Sequence, residues 1–153
     1  MSNSQFADYR YTYQQPALGK VGQYQMSGVP WISSSIRVPV LGEMPDAYGF
    51  SSVTKFVTIT NTNTGTNVPL RVGFSVLGVT GSSDGEGGLS NDGGNSYFVL
   101  DNGESYTGEW RVSAVYLLSD TVDVPTSASI IAGLTGISAE MLPDNWSGSS
   151  GVG

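Results

Sequence analysis

The stretch "LRVGFSVLG" (Leu70–Gly78) alternates apolar residues with polar or small ones along its whole length. Successive side chains of an extended chain point to opposite faces, so this period of two is typical of a half-buried strand. One face would carry Leu70, Val72, Phe74 and Val76, and the other Arg71, Gly73 and Ser75. The stretch therefore predicts a strand over Val68–Leu77 with one face in a hydrophobic core.

The same alternation recurs along the chain and predicts further strands. These strands are Ser34–Pro39, Ser52–Thr62, Ser96–Leu100, Ser105–Asp120 and Ser127–Ile137. Turn-rich segments separate them, and the Asn102-Gly103 pair is the preferred sequence for a type I′ hairpin turn. Because no helical pattern lies between the strands, the order excludes a βαβ layout. The chain is therefore predicted to be all-β, an antiparallel β-sandwich of the jelly-roll or immunoglobulin-like kind.

Three of these strands have a clearly apolar face, which supplies the candidate core. In the strand after Ser52 that face consists of Val53, Val57 and Ile59. In the long strand after Ser105 it consists of Trp110, Val112, Ala114, Tyr116 and Leu118. In the last strand it consists of Ala128, Ile130, Ala132 and Leu134. The first strand is flanked by Pro30 and Pro39, which cannot donate to a ladder, and is therefore predicted at a sheet edge.

The composition limits the chemistry that the chain can perform. Its 153 residues suit one domain, and only 12% of them are charged, about half the usual share. The chain contains neither cysteine nor histidine. Disulfides, thiolate nucleophiles and cysteine metal sites are excluded, and the usual general base of neutral pH is missing. These absences favour a non-enzymatic protein that uses no cofactor.

The charge of the chain is negative and unevenly placed. The net charge is −7, which argues against nucleic-acid binding because that function needs arrays of Lys and Arg. Up to Gly42, three basic residues and one acidic residue give +2; from Glu43 onward, three basic and twelve acidic residues give −9. This asymmetry suits a leading segment that docks on neighbouring acidic bodies.

The chain divides into three predicted segments. Residues 1–42 are an extended N-terminal arm, residues 43–137 the sandwich, and residues 138–153 a short flexible C-terminal tail. The first residues lack the apolar stretch of a secretory signal, and no run approaches the length of a membrane helix. We therefore expect synthesis in a cytosol-like compartment and no membrane insertion.

The arm and the tail carry the candidate interface residues. Tyrosine and tryptophan are enriched at protein–protein contacts, and an extended segment with aromatic residues on one face cannot bury that face against itself. The candidate interface residues of the arm are Tyr9, Tyr11, Tyr13, Tyr24 and Trp31. Those of the tail are Met141, Leu142 and Trp146. The alternatives are sugar stacking by the arm aromatics, as in a carbohydrate-binding module, and a small capping contact by the tail.

Acidic side chains form two further candidate sites. The glycine-rich loop over Gly81–Asn95 offers oxygen ligands for calcium from Asp84, Glu86, Asn91 and Asp92. It lacks the spacing of a known calcium loop, and solvated acidic loops are common, so no metal is assigned. A pair of carboxylates for hydrolysis would come from Asp101, Glu104 and Glu109, but turn preference alone explains these residues. No catalytic residue is assigned.

Two arginines and a glycosylation sequon have ordinary explanations. Arg71 and Arg111 lie on the polar faces of predicted strands, where cross-strand partners such as Glu109 are expected. The triplet Asn145-Trp146-Ser147 fits the N-glycosylation pattern, which has no role in a chain without a secretory signal.

From Val53 onward the chain resembles a known group of proteins. The similarity lies in "LRVGFS" (70–75), "YFVLDNGES" (97–105), "RVSAVYLL" (111–118) and "AGLTGI" (132–137). This line is similar to the small single jelly-roll structural proteins of icosahedral viruses, which serve as pentons, minor capsid proteins or capsid-decorating proteins. The resemblance covers about residues 53–137, and it leaves the choice among these roles open.

The resemblance implies assembly without chemistry. It implies a virion protein, synthesised in the host cytoplasm, that binds copies of itself and the major capsid protein. Homotrimers or pentamers are expected for such a unit. The rival hypothesis is a carbohydrate- or receptor-binding module of a spike or adhesin, and an enzyme is the third.

Overall fold

The computed structural model describes residues 28–80 and 96–141, which form two antiparallel four-stranded sheets packed face to face. The strands of the first sheet, in spatial order, are β1 (Val29–Val38), β8 (Thr126–Ser138), β3 (Ser52–Asn61) and β6 (Ser105–Gly108). Those of the second sheet are β2 (Asp46–Gly49), β7 (Ala114–Ser119), β4 (Leu70–Gly73) and β5 (Tyr97–Leu100). A short helix, α1 (Val76–Thr80), follows β4, and a 3₁₀ helix (Ala139–Met141) follows β8. The predicted all-β sandwich is confirmed.

The strand pairs are nested along the chain. The chain pairs β1 with β8, β2 with β7, β3 with β6 and β4 with β5, all antiparallel. These pairs form one long ribbon that turns back on itself between β4 and β5. Successive pairs of the ribbon lie alternately in the first and second sheets, and β8–β3 and β7–β4 contacts join them within each sheet. The ribbon therefore wraps around a single core.

The core lies between the inner faces of the two sheets. It contains most of the apolar residues that the alternation predicted, including the four of β8 and Val57 and Ile59 of β3. Val53, predicted on the same face, is also fully buried. Strand β1 lies at the predicted edge position and places Ile36 and Val38 in this core. The sandwich therefore includes residues 29–38, which the sequence assigned to the arm.

The strand predicted over Val68–Leu77 is wrong in its second half. Leu70 and Val72 enter the core, but the strand ends at Gly73 and the chain turns into α1. The Ser75 hydroxyl accepts a hydrogen bond from the Gly78 amide (2.9 Å), which caps the start of α1. Gly73 allows the turn because a Cβ at this position would lie 2.9 Å from Val79 Cβ. The chain after Gly73 thus forms a helix rather than a strand, with Val79 buried and Val76 and Leu77 exposed.

The single strand predicted over Ser105–Asp120 is also wrong. Residues 105–108 form β6 in the first sheet and residues 114–119 form β7 in the second, so the chain crosses between sheets at 109–113. The crossing changes the phase of the alternation. Val112 and Val115, three residues apart, both reach the core, whereas Ala114 and Tyr116 do not.

The predicted type I′ hairpin at Asn102-Gly103 is not formed. The strands before and after this turn, β5 and β6, belong to different sheets. Gly103 has a positive φ of 78° but Asn102 does not, and the Glu104 amide donates to the Asp101 carbonyl (2.9 Å). A type I′ turn needs positive φ at both central residues, so this turn is a corner between the sheets.

Candidate interaction surfaces

The structure describes two of the eight predicted interface residues. Trp31 lies in β1, half-buried, with its ring edge-on to Phe50 at a centroid distance of 5.0 Å. Met141 lies in the 3₁₀ helix with 44% of its surface exposed. The other six, and the four loop residues considered for calcium, lie outside the described residues. These are Tyr9, Tyr11, Tyr13, Tyr24, Leu142 and Trp146, together with Asp84, Glu86, Asn91 and Asp92.

The outer surface of the first sheet is a continuous face that we call the open face. Directly paired residues of neighbouring strands share a side of the sheet, so the register identifies the members. They are Pro30, Ile32, Arg37, Phe56, Thr58, Thr60, Ser105, Thr107, Ser127, Ser129, Ile131 and Gly133. One row crosses all four strands, and it runs Ile32, Ile131, Thr58, Thr107.

The β1–β8 half of the open face is apolar. Ile32 and Ile131 are direct neighbours across the β1–β8 pair and are 65% and 42% exposed. In the next row the Phe56 ring covers Gly133, where a Cβ would lie 2.4 Å from Phe56 Cε1. Two large aliphatic side chains on adjacent strands therefore stand exposed beside an aromatic ring.

The β3–β6 half carries hydroxyl groups that are paired in rows. The hydroxyls of Thr58 and Thr107 lie 2.8 Å apart, and those of Thr60 and Ser105 lie 2.6 Å apart. No strand of the first sheet contains Asp or Glu. These strands therefore contribute no negative charge, in a chain whose net charge is −7.

The short helix α1 packs against β4 and β7 on the outer surface of the second sheet and covers part of it, and we call this part the covered face. Leu118 and Val79 are fully buried there, outside the core between the sheets. Arg71 lies beneath the end of α1, where its Nη1 donates to the Thr80 carbonyl (3.1 Å) and its Nε pairs with the Asp120 carboxylate. The partner predicted for Arg71, Glu109, is thus replaced by Asp120.

A cluster of four aromatic rings closes the side of the sandwich between β5 and β6. Trp110 contacts Phe74 edge-on, at a centroid distance of 4.9 Å, and stacks on Tyr106 at 5.4 Å with planes 13° apart. Phe98 contacts both Tyr106 and Trp110. The Trp110 ring lies over Gly108, where any side chain would collide with it. Tyr106 is the exposed member of the cluster, and its ring is the one that could stack on a ligand.

A polar groove of about 480 Å³ lies at one end of the sandwich. It is lined by Arg37, Pro39, Val40, Glu43, Asp46, Asp123 and Pro125. Beside it, the Tyr48 hydroxyl donates to Asp46 (3.2 Å). Burial, and then the Asp46 charge and hydrogen bond, raise the pKa of Tyr48 to about 12. Within residues 28–80 and 96–141, no three His, Cys, Asp or Glu side chains are grouped to hold a metal ion.

The predicted carboxylate pair serves the corner between β5 and β6. The Glu104 carboxylate accepts from the Asp101 amide (2.8 Å), and the Asp101 carboxylate accepts from Asn67 Nδ2 (2.9 Å). Both groups therefore hold their own turn and the loop beside it. Glu109 lies apart from them, exposed, in the crossing after β6.

A buried amide in this corner was missed by the sequence analysis. Asn61 is fully buried, and its Nδ2 donates to the carbonyls of Val68 and Leu100, each at 2.9 Å. Its Oδ1 accepts from the Thr126 hydroxyl (3.1 Å). One polar side chain thus joins β3, β5 and the start of β8, and its position inside a turn-rich stretch concealed this role.

Ile131 and Ile32 were missed as surface residues. The signal was present, because the prediction that Ala128, Ile130, Ala132 and Leu134 face inward leaves Ile131 facing outward. Its importance depends on Ile32 of β1 lying beside it, and only the strand order brings those two residues together.

Comparison with known proteins finds no matching family model, no similar curated protein and no similar solved structure. In the described part of the chain, no helix has both the length and the apolar character needed to cross a membrane.

Proposed function

We propose that this protein is a non-enzymatic structural protein of a virion, a jelly-roll capsid component that associates with copies of itself. The nested strand order carries this proposal. The orders β1-β8-β3-β6 and β2-β7-β4-β5 are those of an antiparallel ribbon wrapped into two sheets, which is the arrangement expected of a jelly roll. Viral capsid domains are among the recurrent users of that fold.

The resemblance of residues 53–137 to small viral jelly-roll proteins supports the same role. In this proposal the sandwich is a rigid unit, and residues 1–27 with Tyr9, Tyr11, Tyr13 and Tyr24 lock it onto neighbouring subunits and the major capsid protein. Trp31 acts differently, because its contact with Phe50 makes it part of the sandwich. Penton, minor capsid and decoration roles all use such a unit.

The mass of the protein in solution tests the proposal. Multi-angle light scattering would compare the full chain with a form that begins at Gly28. A cut at Glu43 would be unsuitable because it removes β1, which supplies Ile36 and Val38 to the core. The proposal expects a trimer or pentamer for the full chain and a smaller species for the shortened one. Two monomers of unchanged stability, together with capsids unaffected by loss of the protein, would overturn it.

Sugar binding is the second candidate function, and the exposed ring of Tyr106 is the observation that favours it. This ring stacks on Trp110 at the side of the sandwich, so its free surface could receive a sugar. Glycan-array binding that is lost in Tyr106→Ala and kept in Tyr116→Ala would favour this candidate over the structural one.

A further inference from the structure

The open face presents an apolar patch that no described residue covers. Ile32 and Ile131 lie side by side on β1 and β8, 65% and 42% exposed, next to Phe56 on β3. Exposed apolar residues that are grouped on neighbouring strands, rather than scattered singly, mark interaction sites.

The distribution of charged residues indicates which class of partner fits the open face. The only charged residues on the strands of the first sheet are Arg37 and Lys55, both basic, whereas the acidic residues of the described chain lie in β2, in the loops and in the 3₁₀ helix after β8. Two copies of an acidic chain repel each other over most of their surfaces, because like charges brought together across an interface cost free energy. The strands of the open face present no carboxylate that a second copy would have to oppose.

The β3–β6 half of the open face can form hydrogen bonds with the same half of a second copy. Thr58 and Thr107, and Thr60 and Ser105, form two hydroxyl pairs, and each pair keeps one O–H donor and free acceptor lone pairs after its internal hydrogen bond. A row of hydroxyls can therefore pair with the same row of a second copy, whereas a row of carboxylates cannot. A two-fold interface requires this property, because the same patch is used on both subunits.

We infer that the open face is a contact between two copies of this chain, packed face to face around Ile131. This inference rests on the self-association in the proposed function and adds a two-fold contact to it, because a trimer or pentamer closes through a separate head-to-tail interface. In such a contact Ile32 and Ile131 bury their aliphatic surface against the other copy, and the hydroxyl rows meet beside them.

The open face is smaller than a standard protein–protein interface. The width of the face is that of four strands spaced about 4.8 Å apart, and its length is that of about eight residues with a rise of about 3.3 Å each. The product is an area of roughly 500 Å². A standard protein–protein interface buries about 800 Å² on each partner. A single open-face contact is therefore expected to be weak, with stable assembly requiring several contacts at once.

Sedimentation velocity of the full chain over a wide concentration range tests the inference. The variant is Ile131→Glu, which places a carboxylate in the centre of the contact. Val99→Glu is the matched control, because Val99 lies on β5 of the second sheet and is 41% exposed. Ile32→Glu, on the edge strand, is the second variant if Ile131→Glu does not fold by circular dichroism.

The expected result is concentration-dependent association of the wild type that weakens at least tenfold in Ile131→Glu and stays unchanged in Val99→Glu. Wild-type association in both the Ile131→Glu and Ile32→Glu variants would overturn the inference. If removal of residues 1–27 abolishes association while the face variants do not, the proposed function stands and this inference fails. Association that appears only after removal of residues 1–27 also overturns it, because the chain's own segment would then cover the face.

Discussion

The two outer faces of the sandwich are built from similar strands but differ in whether another element packs over them. On the second sheet, α1 lies over Gly73 and buries Val79 and Leu118, and Arg71 fixes the end of the helix. On the first sheet, Ile131 occupies a similar outward position and remains exposed. The alternation of a strand therefore specifies two faces, but the elements that pack outside the sheet decide whether the outer face is a second core or a surface.

Truncation of one large residue on each face should give the largest contrast. Leu118→Ala removes a fully buried side chain and is expected to lower the free energy of unfolding by about 3 kcal/mol. Ile131→Ala removes a side chain that is already partly in water and should cost less than about 1.5 kcal/mol in the monomer. Urea unfolding at low protein concentration measures both. Equal losses would contradict the contrast between the faces.

Removal of the arginine beneath α1 should have the next largest effect. Arg71→Ala breaks the ion pair with Asp120 and the hydrogen bond to the Thr80 carbonyl, and it removes the guanidinium 4.3 Å from the centre of the Tyr97 ring. We expect a loss of about 2 kcal/mol, since hydrogen bonds to charged groups contribute about 1.5–3 kcal/mol each.

Arg111→Ala is the control for this variant, because Arg111 is exposed in the crossing between β6 and β7. It should change the stability by less than about 0.5 kcal/mol. Thermal unfolding of the two variants measures the difference. If Arg71→Ala unfolded at the wild-type temperature, its contacts would not hold the covered face together.

Replacing one glycine by alanine on each face tests whether the side chain packed over that glycine is fixed or can move. In Gly73→Ala the new Cβ meets Val79 of α1 at 2.9 Å, so the helix must shift, at a cost of about 1–2 kcal/mol. In Gly133→Ala the new Cβ meets the Phe56 ring, which can turn towards solvent, so the cost should be below about 1 kcal/mol. Urea unfolding of both variants would measure the two losses, and we expect the larger one in Gly73→Ala. The reverse order would mean that Phe56 is as tightly fixed as the helix.

The smallest expected effect is a dependence on high pH that comes from Tyr48 of β2. Its pKa in the folded chain is about 12, above the ordinary value of 10.0, so folding favours the protonated phenol. The stabilisation is complete below about pH 10 and is lost as the pH rises towards 12. In Tyr48→Phe this part of the decline should disappear. Urea midpoints of both proteins across this range test it, and identical curves would rule it out.

The sequence predicted the core better than it predicted the strand ends. The alternation identified the inward residues Val57 and Ile59 of β3 and their neighbours on β8 correctly because the two strands pair in regular register from Phe56 onward. It failed after Gly73 and after Gly108, where the chain leaves a sheet. At Gly73 the departure depends on Val79 packing over the glycine, and at Gly108 on the Trp110 ring lying over the glycine. In both cases the contact joins residues close together in the chain, and an alternation of apolar and polar residues does not reveal such a contact.

The candidate surface was less predictable than the fold. Tyr and Trp are residue types enriched at interfaces, so the arm could be predicted as an interface from its residue types. Ile32 and Ile131 are common strand residues, and nearly the whole sandwich lies between them in the sequence. They become a patch because β1 pairs with β8, and that pairing is a property of the strand order. The absence of acidic residues from the first sheet could have been noticed only once its strands were known.

Cross-linking through single introduced cysteines tests most directly whether copies of this chain meet at the open face. The chain contains no cysteine, so Ile131→Cys and Val99→Cys each carry one thiol, on the open face and on the second sheet. A bis-maleimide spans more than a disulfide, whose Cα atoms lie about 5.5–6 Å apart, and so tolerates an offset from the two-fold axis. We predict a covalent dimer in Ile131→Cys and little or none in Val99→Cys. Equal cross-linking of the two variants, or none in either, would contradict the account.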